Sequence, residues 1–193
     1  MTTLLHPPAQ AAEKKIHIVQ GEQYVDDNPN TVLTTILGSC IAACIWDNTL
    51  GLGGMNHFLL PGTDAGSQQR QLEGDVMRFG VHAMELLVNG LLRRGAQRNR
   101  LQAKLFGGAR MIKGLTDIGE LNATFAERFL KAEGIAIAGG SLRGEQGRRI
   151  QFWPVTGRAR QVLLAKETES IMRAERTRPI PPTPPGQGTV ELF

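Results

Sequence analysis

Apolar residues recur along this chain with two periods, one typical of helices and one typical of strands. From Leu72 to Leu91 they return every three or four residues, which predicts an amphipathic helix that ends at Gly95. The same spacing predicts a second helix from Gly119 to Glu133, with Gly134 as its stop. Shorter apolar runs predict strands at 15–20, 104–108, 135–138, 149–153 and 161–165.

The stretch from Thr31 to Trp46 carries no charged residue. It is shorter than the ~20 apolar residues that a helix needs to span a bilayer, and it contains Gly, Ser and Thr. We therefore interpret it as a buried strand pair and not as a membrane helix. Both faces of the strand at 40–46 are apolar, which predicts a sheet that is covered on both sides.

A second apolar run, from Leu52 to Leu60, follows this strand after the polar residues at 47–49, and this order predicts a β-hairpin. With a four-residue loop from Asp47 to Leu50, Cys40 is predicted to lie directly opposite His57. Directly opposed residues share a face, with Cβ atoms about 4.5–5.5 Å apart. A register shift of one residue would separate the two side chains to opposite faces.

A cysteine beside a histidine is a recognised basis for nucleophilic chemistry. An unperturbed thiol has a pKa near 8.5, and a neighbouring imidazolium lowers that value and yields a reactive thiolate. The turn before Cys40 would also direct backbone N–H groups at a developing oxyanion. The alternative is that Cys40 is a small buried apolar residue and His57 a half-buried histidine with its hydrogen bonds satisfied.

Several motifs resemble one family. LGSC ends at Cys40, an aspartate stands seven residues later, and GGMNHFLLP contains His57; KLFGGARM and GRRIQFWPVTG match further along. In this combination they resemble the CheD family of chemoreceptor glutamine deamidases, over roughly residues 16–165. The resemblance implies that Cys40 is the nucleophile and His57 its base, with Thr34 as the third catalytic residue. Thr35, its neighbour, is the competing choice for the third position.

Three further residues are expected to shape the site or its oxyanion-binding region: Gly38, Ser39 and Asn56. The resemblance implies an α/β (α+β) sandwich with mixed or antiparallel sheets and two main helices, related to the catalytic domain of deamidating toxins. It implies deamidation of glutamine side chains in methyl-accepting chemotaxis receptors through a thioester, and the same chemistry would cleave a glutamyl methyl ester. A CheC-type phosphatase is a further implied partner. No cofactor or metal is expected.

Two other functions compete with this hypothesis. The first is a non-catalytic adaptor that binds receptors or a CheC-type phosphatase. The second is a redox sensor based on Cys40, for which Cys44 is no partner. Four residues apart on one strand, the two cysteines would lie about 13 Å apart, whereas a disulfide spans at most about 7 Å.

Composition limits the number of domains, the partners and the cellular compartment that we expect for this chain. The chain has 193 residues, of which 41% are hydrophobic and 5% aromatic, and its net charge is +4. This length suits one core, and so modest a charge does not indicate nucleic-acid binding. Two cysteines form no disulfide framework, and the N-terminus does not read as a signal peptide. We expect a cytoplasmic monomer that associates with receptor arrays and does not insert into membranes.

The chain is predicted to contain one domain between two tails. Residues 1–14 are expected to be a disordered N-terminal tail, 15–167 the catalytic domain, and 168–193 a Pro-rich C-terminal tail. The last residues, VELF, are interpreted as part of a disordered tail or as a docking peptide for a partner groove.

Overall fold

The computed structural model describes residues 12–61, 69–111 and 117–164, without the side chains of 69–76. These ranges contain nine strands and two α-helices. In chain order they are β1 (Lys14–His17), β2 (Gln23–Asp26), β3 (Thr31–Leu37), β4 (Ile41–Asp47), β5 (Leu52–Asn56), α1 (Gln69–Arg93), β6 (Leu101–Gly107), α2 (Ile118–Ala132), β7 (Ala136–Leu142), β8 (Arg148–Trp153) and β9 (Arg158–Leu163).

The strands form two sheets that pack face to face, with both helices on one outer side. One sheet has the order β1-β3-β8-β9 and the other β2-β5-β4-β6-β7. The core between the sheets includes Leu33, Phe152, Cys44 and Met55. A second core lies between the five-stranded sheet and the helices, and it includes Ile45, Leu87 and Leu130. The predicted α+β sandwich is confirmed, as is two-sided coverage, because every residue of β4 is buried.

Both predicted helices form, and local signals in the sequence explain where they end. Helix α1 ends at Arg93, two residues before Gly95, whose φ of +96° favours glycine, and the Ala96 N–H donates to the Leu91 carbonyl. Helix α2 begins after Asp117, whose carboxylate accepts the Glu120 N–H at 3.0 Å. The same backbone geometry that ends α1 recurs after α2, where φ is +68° at Gly134.

The predicted pairing of the two uncharged strands is wrong. Strand β3 belongs to the four-stranded sheet and β4 to the five-stranded sheet, so the turn at 38–40 carries the chain across the core. Strand β3 pairs instead with β1 and β8. The turn that carries Cys40 therefore lies where the two sheets meet.

The hairpin of β4 and β5 forms, but its register differs by two residues from the prediction. Asp47 pairs with Leu52 and Ile41 with Phe58, so Cys40 does not lie directly opposite His57. The loop still has four residues, but it includes Gly51, whose φ is +67°. Because the shift is an even number, the two side chains remain on the same face of the hairpin.

Asp47 is the last residue of β4, whereas the prediction made it the first residue of the loop, and this difference moves the register. Its buried carboxylate accepts the N–H groups of Thr49 and Leu50 and is held by Arg100 at 2.7 Å. Burial opposes ionisation of Asp47, but hydrogen bonds from Arg100, Gln97 and Leu50 outweigh it and hold the pKa of the carboxyl below its usual value. The carboxylate thus fixes the loop that aligns Cys40 and His57.

The bounds predicted for the domain and its two tails stay predictions. Strand β1 already begins at Lys14, while residues 1–11 and 165–193, with the Pro-rich segment and VELF, lie outside the described residues. No helix in the described ranges is long and apolar enough to cross a membrane.

Candidate active site

The turn that carries Cys40 is held from one side by the segment that follows β6. The Gly108 N–H donates to the Cys40 carbonyl and the Ala109 N–H to the Gly38 carbonyl, each at 2.9 Å. Gly107 has a φ of +110°, and a Cβ atom on it would collide with the Cys40 carbonyl oxygen. Glycine is required at Gly107 for this close approach. Cys40 itself is completely buried.

His57 is fixed by its main chain and by its ring. Its carbonyl accepts the Gly21 N–H at 2.8 Å, and its N–H donates to the Glu22 carbonyl at 3.0 Å. The ring is buried, with Nδ1 2.9 Å from Thr35 Oγ1 and 3.4 Å from the Ile18 carbonyl oxygen. The imidazole is therefore held in one orientation.

The hydrogen bonds around Nδ1 assign the tautomer of neutral His57. The Thr35 hydroxyl has one proton, and it donates that proton to the Ile18 carbonyl at 2.7 Å. The Thr35 oxygen then acts as an acceptor toward His57, so Nδ1 must carry the ring proton. In this tautomer Nε2 is the basic nitrogen, which is the form a general base requires.

The structure places Thr35, and not Thr34, on His57. Thr34 Oγ1 donates to the Ile150 carbonyl at 2.8 Å, within its own sheet. Successive side chains of a strand point to opposite faces, so only one of the two threonines can face the histidine. Thr35 shares its face with Leu33 and Leu37, which lie in the core between the sheets. The predicted contact between Thr34 and His57 is wrong.

Asn56 is also not at the site. Its Oδ1 accepts the Ala43 N–H at 3.0 Å, and its Nδ2 donates to the Ala83 carbonyl of α1 at 3.0 Å. It therefore faces the helix layer, on the side of the sheet opposite to Met55 and His57. Gly38 and Ser39 directly precede Cys40 in the turn, and their role in shaping the site stays a prediction.

Two residues near Cys40 were missed by the sequence analysis. Gln20 lies in the turn that follows β1, and its Oε1 is 3.6 Å from Cys40 Sγ. Asn122, in the first turns of α2, donates to the Ser39 carbonyl at 2.9 Å. Asn122 is a polar residue in the apolar row of a predicted helix, and that pattern could have indicated a role for it. No local pattern connects Gln20 with a cysteine twenty residues away.

The second cysteine has a different environment. Cys44 is fully buried in the core between the sheets, and burial raises the pKa of its thiol well above the usual range, although Lys104 opposes the shift. Cys44 is thus a neutral thiol that packs in the core, and neither cysteine forms a disulfide. Among the described residues, no group of His, Cys, Asp or Glu side chains is arranged to hold a metal ion.

A family model and several relatives of similar sequence indicate the same family. The model of the family described as "CheD chemotactic sensory transduction" matches residues 59–162, a range that begins after Cys40 and His57. A protein of Acidiphilium cryptum is 63% identical over 93% of this chain and 94% of its own. One of Agrobacterium fabrum is 53% identical over 95% of this chain and 99% of its own. One of Caulobacter vibrioides is 51% identical over all of both chains.

Each of these three proteins is named "Probable chemoreceptor glutamine deamidase CheD". Among solved structures, the Neisseria meningitidis protein NMB0706 is similar with a TM-score of 0.40 at 13% identity, over 68% of this chain and 63% of that one. That likeness is too distant to bear on the site.

Proposed function

This chain belongs to the CheD family, and from that membership we propose that it is a chemoreceptor glutamine deamidase that uses Cys40 as its nucleophile. The observation that carries the proposal is the hydrogen bond of 2.9 Å between Thr35 Oγ1 and His57 Nδ1. It leaves the basic nitrogen of His57 on the face of the hairpin that also bears Cys40. A histidine oriented by a third residue beside a thiol is the arrangement of an activated cysteine hydrolase.

The proposed reaction proceeds in two halves. His57 Nε2 accepts the thiol proton, and the Cys40 sulfur attacks the Cδ atom of a substrate glutamine. The carbonyl electron pair moves to oxygen and returns as the C–N bond breaks, and His57 gives its proton to the departing ammonia. Water, deprotonated by the same imidazole, then attacks the thioester, so that glutamate and the Cys40 thiol are released.

The partners and setting of this reaction follow from the substrate. We propose that the substrate glutamines lie in the cytoplasmic helical region of methyl-accepting receptors, so that the protein works in the cytoplasm at receptor arrays. A monomer suffices, because Cys40, His57 and Thr35 come from one chain.

A CheC-type phosphatase is proposed as a second partner from the family resemblance. Glutamyl methyl esters are a second proposed substrate, since only the leaving group differs.

Incubation with a purified receptor cytoplasmic fragment tests the proposed function. Tandem mass spectrometry is expected to identify glutamine residues that become glutamate in proportion to enzyme and time. A methylated fragment in the same assay measures the esterase reaction. Binding of the fragment with every glutamine unchanged would contradict deamidation and would support the adaptor hypothesis.

A matched pair of threonine variants tests the orientation of His57. Thr35→Val removes the hydroxyl at Nδ1, and we expect kcat to fall about 10- to 100-fold, by analogy with the loss of a residue that orients a metal-bound histidine. The Ile18 carbonyl near Nδ1 keeps the effect from being larger. Thr34→Val removes only the bond to Ile150 and should leave kcat close to that of the wild type. The reverse order of the two effects would assign the role to Thr34.

A further inference from the structure

Asn122 is a fully buried polar side chain that joins the two segments bearing Cys40 and His57. Its Nδ2 donates to the Ser39 carbonyl at 2.9 Å, and its Oδ1 accepts the Leu60 N–H at 2.8 Å. Ser39 precedes Cys40, and Leu60 follows His57 by three residues. One amide on α2 therefore links the turn that carries Cys40 to the segment after β5 that carries His57.

The carbonyl groups of this turn are all engaged on the side of α2 and β6. Ala109 N–H binds the Gly38 carbonyl, Asn122 binds that of Ser39, and Gly108 N–H binds that of Cys40. In a planar trans peptide the N–H points opposite to the C=O. The N–H groups of Ser39 and Cys40 consequently point away from α2 and β6. The N–H of the next residue, Ile41, continues the hairpin by donating to Phe58.

Two of these three carbonyls are held by main-chain donors, and the third is held by the side chain of Asn122. That third carbonyl belongs to the peptide whose N–H is the Cys40 amide, the group nearest the attacking sulfur. We propose that Asn122 is a positioning residue, which aims the Cys40 N–H at the oxyanion that forms during attack on the substrate. The inference rests on the proposed function, because it assigns a role within that same reaction.

The helix that carries Asn122 is itself fixed at its start. Asp117 caps α2, and Arg143 binds Glu120 at 2.7 Å. Hydrogen bonds from Arg143 and Thr124 lower the pKa of the Glu120 carboxyl to about 2, so this contact persists at neutral pH. These contacts hold the start of α2, and with it Asn122, in one position, as a preorganised oxyanion site requires.

Asn122→Asp is the sharpest test. The ionised aspartate side chain has the same shape and still accepts the Leu60 N–H, but it cannot donate to the Ser39 carbonyl; burial favours the protonated acid, which can donate, so kcat is compared at rising pH as the acid ionises. For receptor-fragment deamidation we expect kcat to fall about 100-fold, the effect of losing one oxyanion donor, with KM unchanged. Alkylation of Cys40 by iodoacetamide needs no oxyanion donor, so its rate should match that of the wild type.

Asn56→Asp is the matched control. Asn56 is buried, accepts one N–H and donates to one carbonyl, as Asn122 does, but it faces α1 on the other side of the sheet. Both variants lose the hydrogen bond donated to a carbonyl, and Asn56→Asp also loses the 3.5 Å contact from Nδ2 to Met84 Sδ, so their losses in thermal unfolding temperature should be similar. Only Asn122→Asp should lose kcat.

The outcomes separate the inference from the function on which it rests. A wild-type protein that converts no receptor glutamine contradicts the proposed function itself. With an active wild type, the inference is overturned if Asn122→Asp keeps full kcat, if its kcat and its Cys40 alkylation fall together, or if Asn56→Asp loses as much kcat as Asn122→Asp. Should Asn122→Asp fail to fold, Asn122→Ser, whose short side chain cannot reach both partners, must show the same loss confined to kcat.

Discussion

Replacing Cys40 with alanine is expected to abolish deamidation of receptor glutamines, whereas replacing Cys44 with alanine is expected to preserve it. The proposed reaction forms a bond between the Cys40 sulfur and the substrate carbon, and no other described group is placed to supply that atom. Cys44 lies four residues further along, within β4, fully buried between the sheets, where burial raises the pKa of its thiol. The two variants thus remove the same atom type from neighbouring positions.

The measurement is the initial rate of glutamate formation with each variant at equal concentration, together with its thermal unfolding temperature. Cys44→Ala should lose some stability, because it leaves a small cavity in the core, and should retain kcat. Activity in Cys40→Ala would exclude a thiol mechanism at this site. Loss of activity in both variants without unfolding would contradict the separate roles assigned here.

Replacing His57 with alanine is expected to lower kcat by about 10²- to 10⁴-fold, the range for loss of a general acid–base residue. His57 serves both halves of the proposed reaction, since it protonates the departing ammonia and deprotonates the attacking water. Because Nδ1 is hydrogen-bonded to Thr35, Nε2 is the nitrogen that accepts and donates the proton in both halves of the reaction. Alkylation of Cys40 at neutral pH should slow as well, because the imidazolium that stabilises a thiolate is absent.

His82→Ala provides the control for this second prediction. His82 is exposed on α1, and its replacement should change neither kcat nor the alkylation rate. Added imidazole, which fits the space left by the missing ring, should restore part of the activity of His57→Ala only. A His57→Ala protein with wild-type kcat and alkylation would show that the histidine is structural.

The fold could be predicted where local patterns decide it. The two helices follow from their apolar spacing and from glycines at their ends, and β4 reads as a strand buried on both faces. Strand β2 was missed because Gln23–Asp26 is short and only partly apolar. The assignment of β3 and β4 to different sheets depends on the pairing of β3 with β1 and with β8, and β8 is distant in the sequence, since Leu37 pairs with Arg148.

The sequence predicted which side chains share a face of the hairpin, but it did not predict which side chains of the site are in contact. Cys40 and His57 share a face in any register of the correct parity, so an error of two residues left them together. The same reasoning cannot decide between Thr34 and Thr35. Apolar residues lie on either side of the pair, and neighbouring residues of a strand point to opposite faces, so the pattern does not show which threonine faces the core. The bond from Asn122 to the Ser39 carbonyl spans 83 residues, a distance at which no local pattern constrains geometry.

The most direct test of a thioester on Cys40 is to run the receptor-fragment reaction in hydroxylamine. Hydroxylamine attacks thioesters in competition with water, whichever step limits turnover. Wild-type protein is expected to convert receptor glutamines to glutamyl hydroxamate as well as to glutamate, and Cys40→Ala is expected to form neither product. Glutamate formation at an unchanged rate with no hydroxamate would show that water attacks the amide directly, and would contradict covalent catalysis by Cys40.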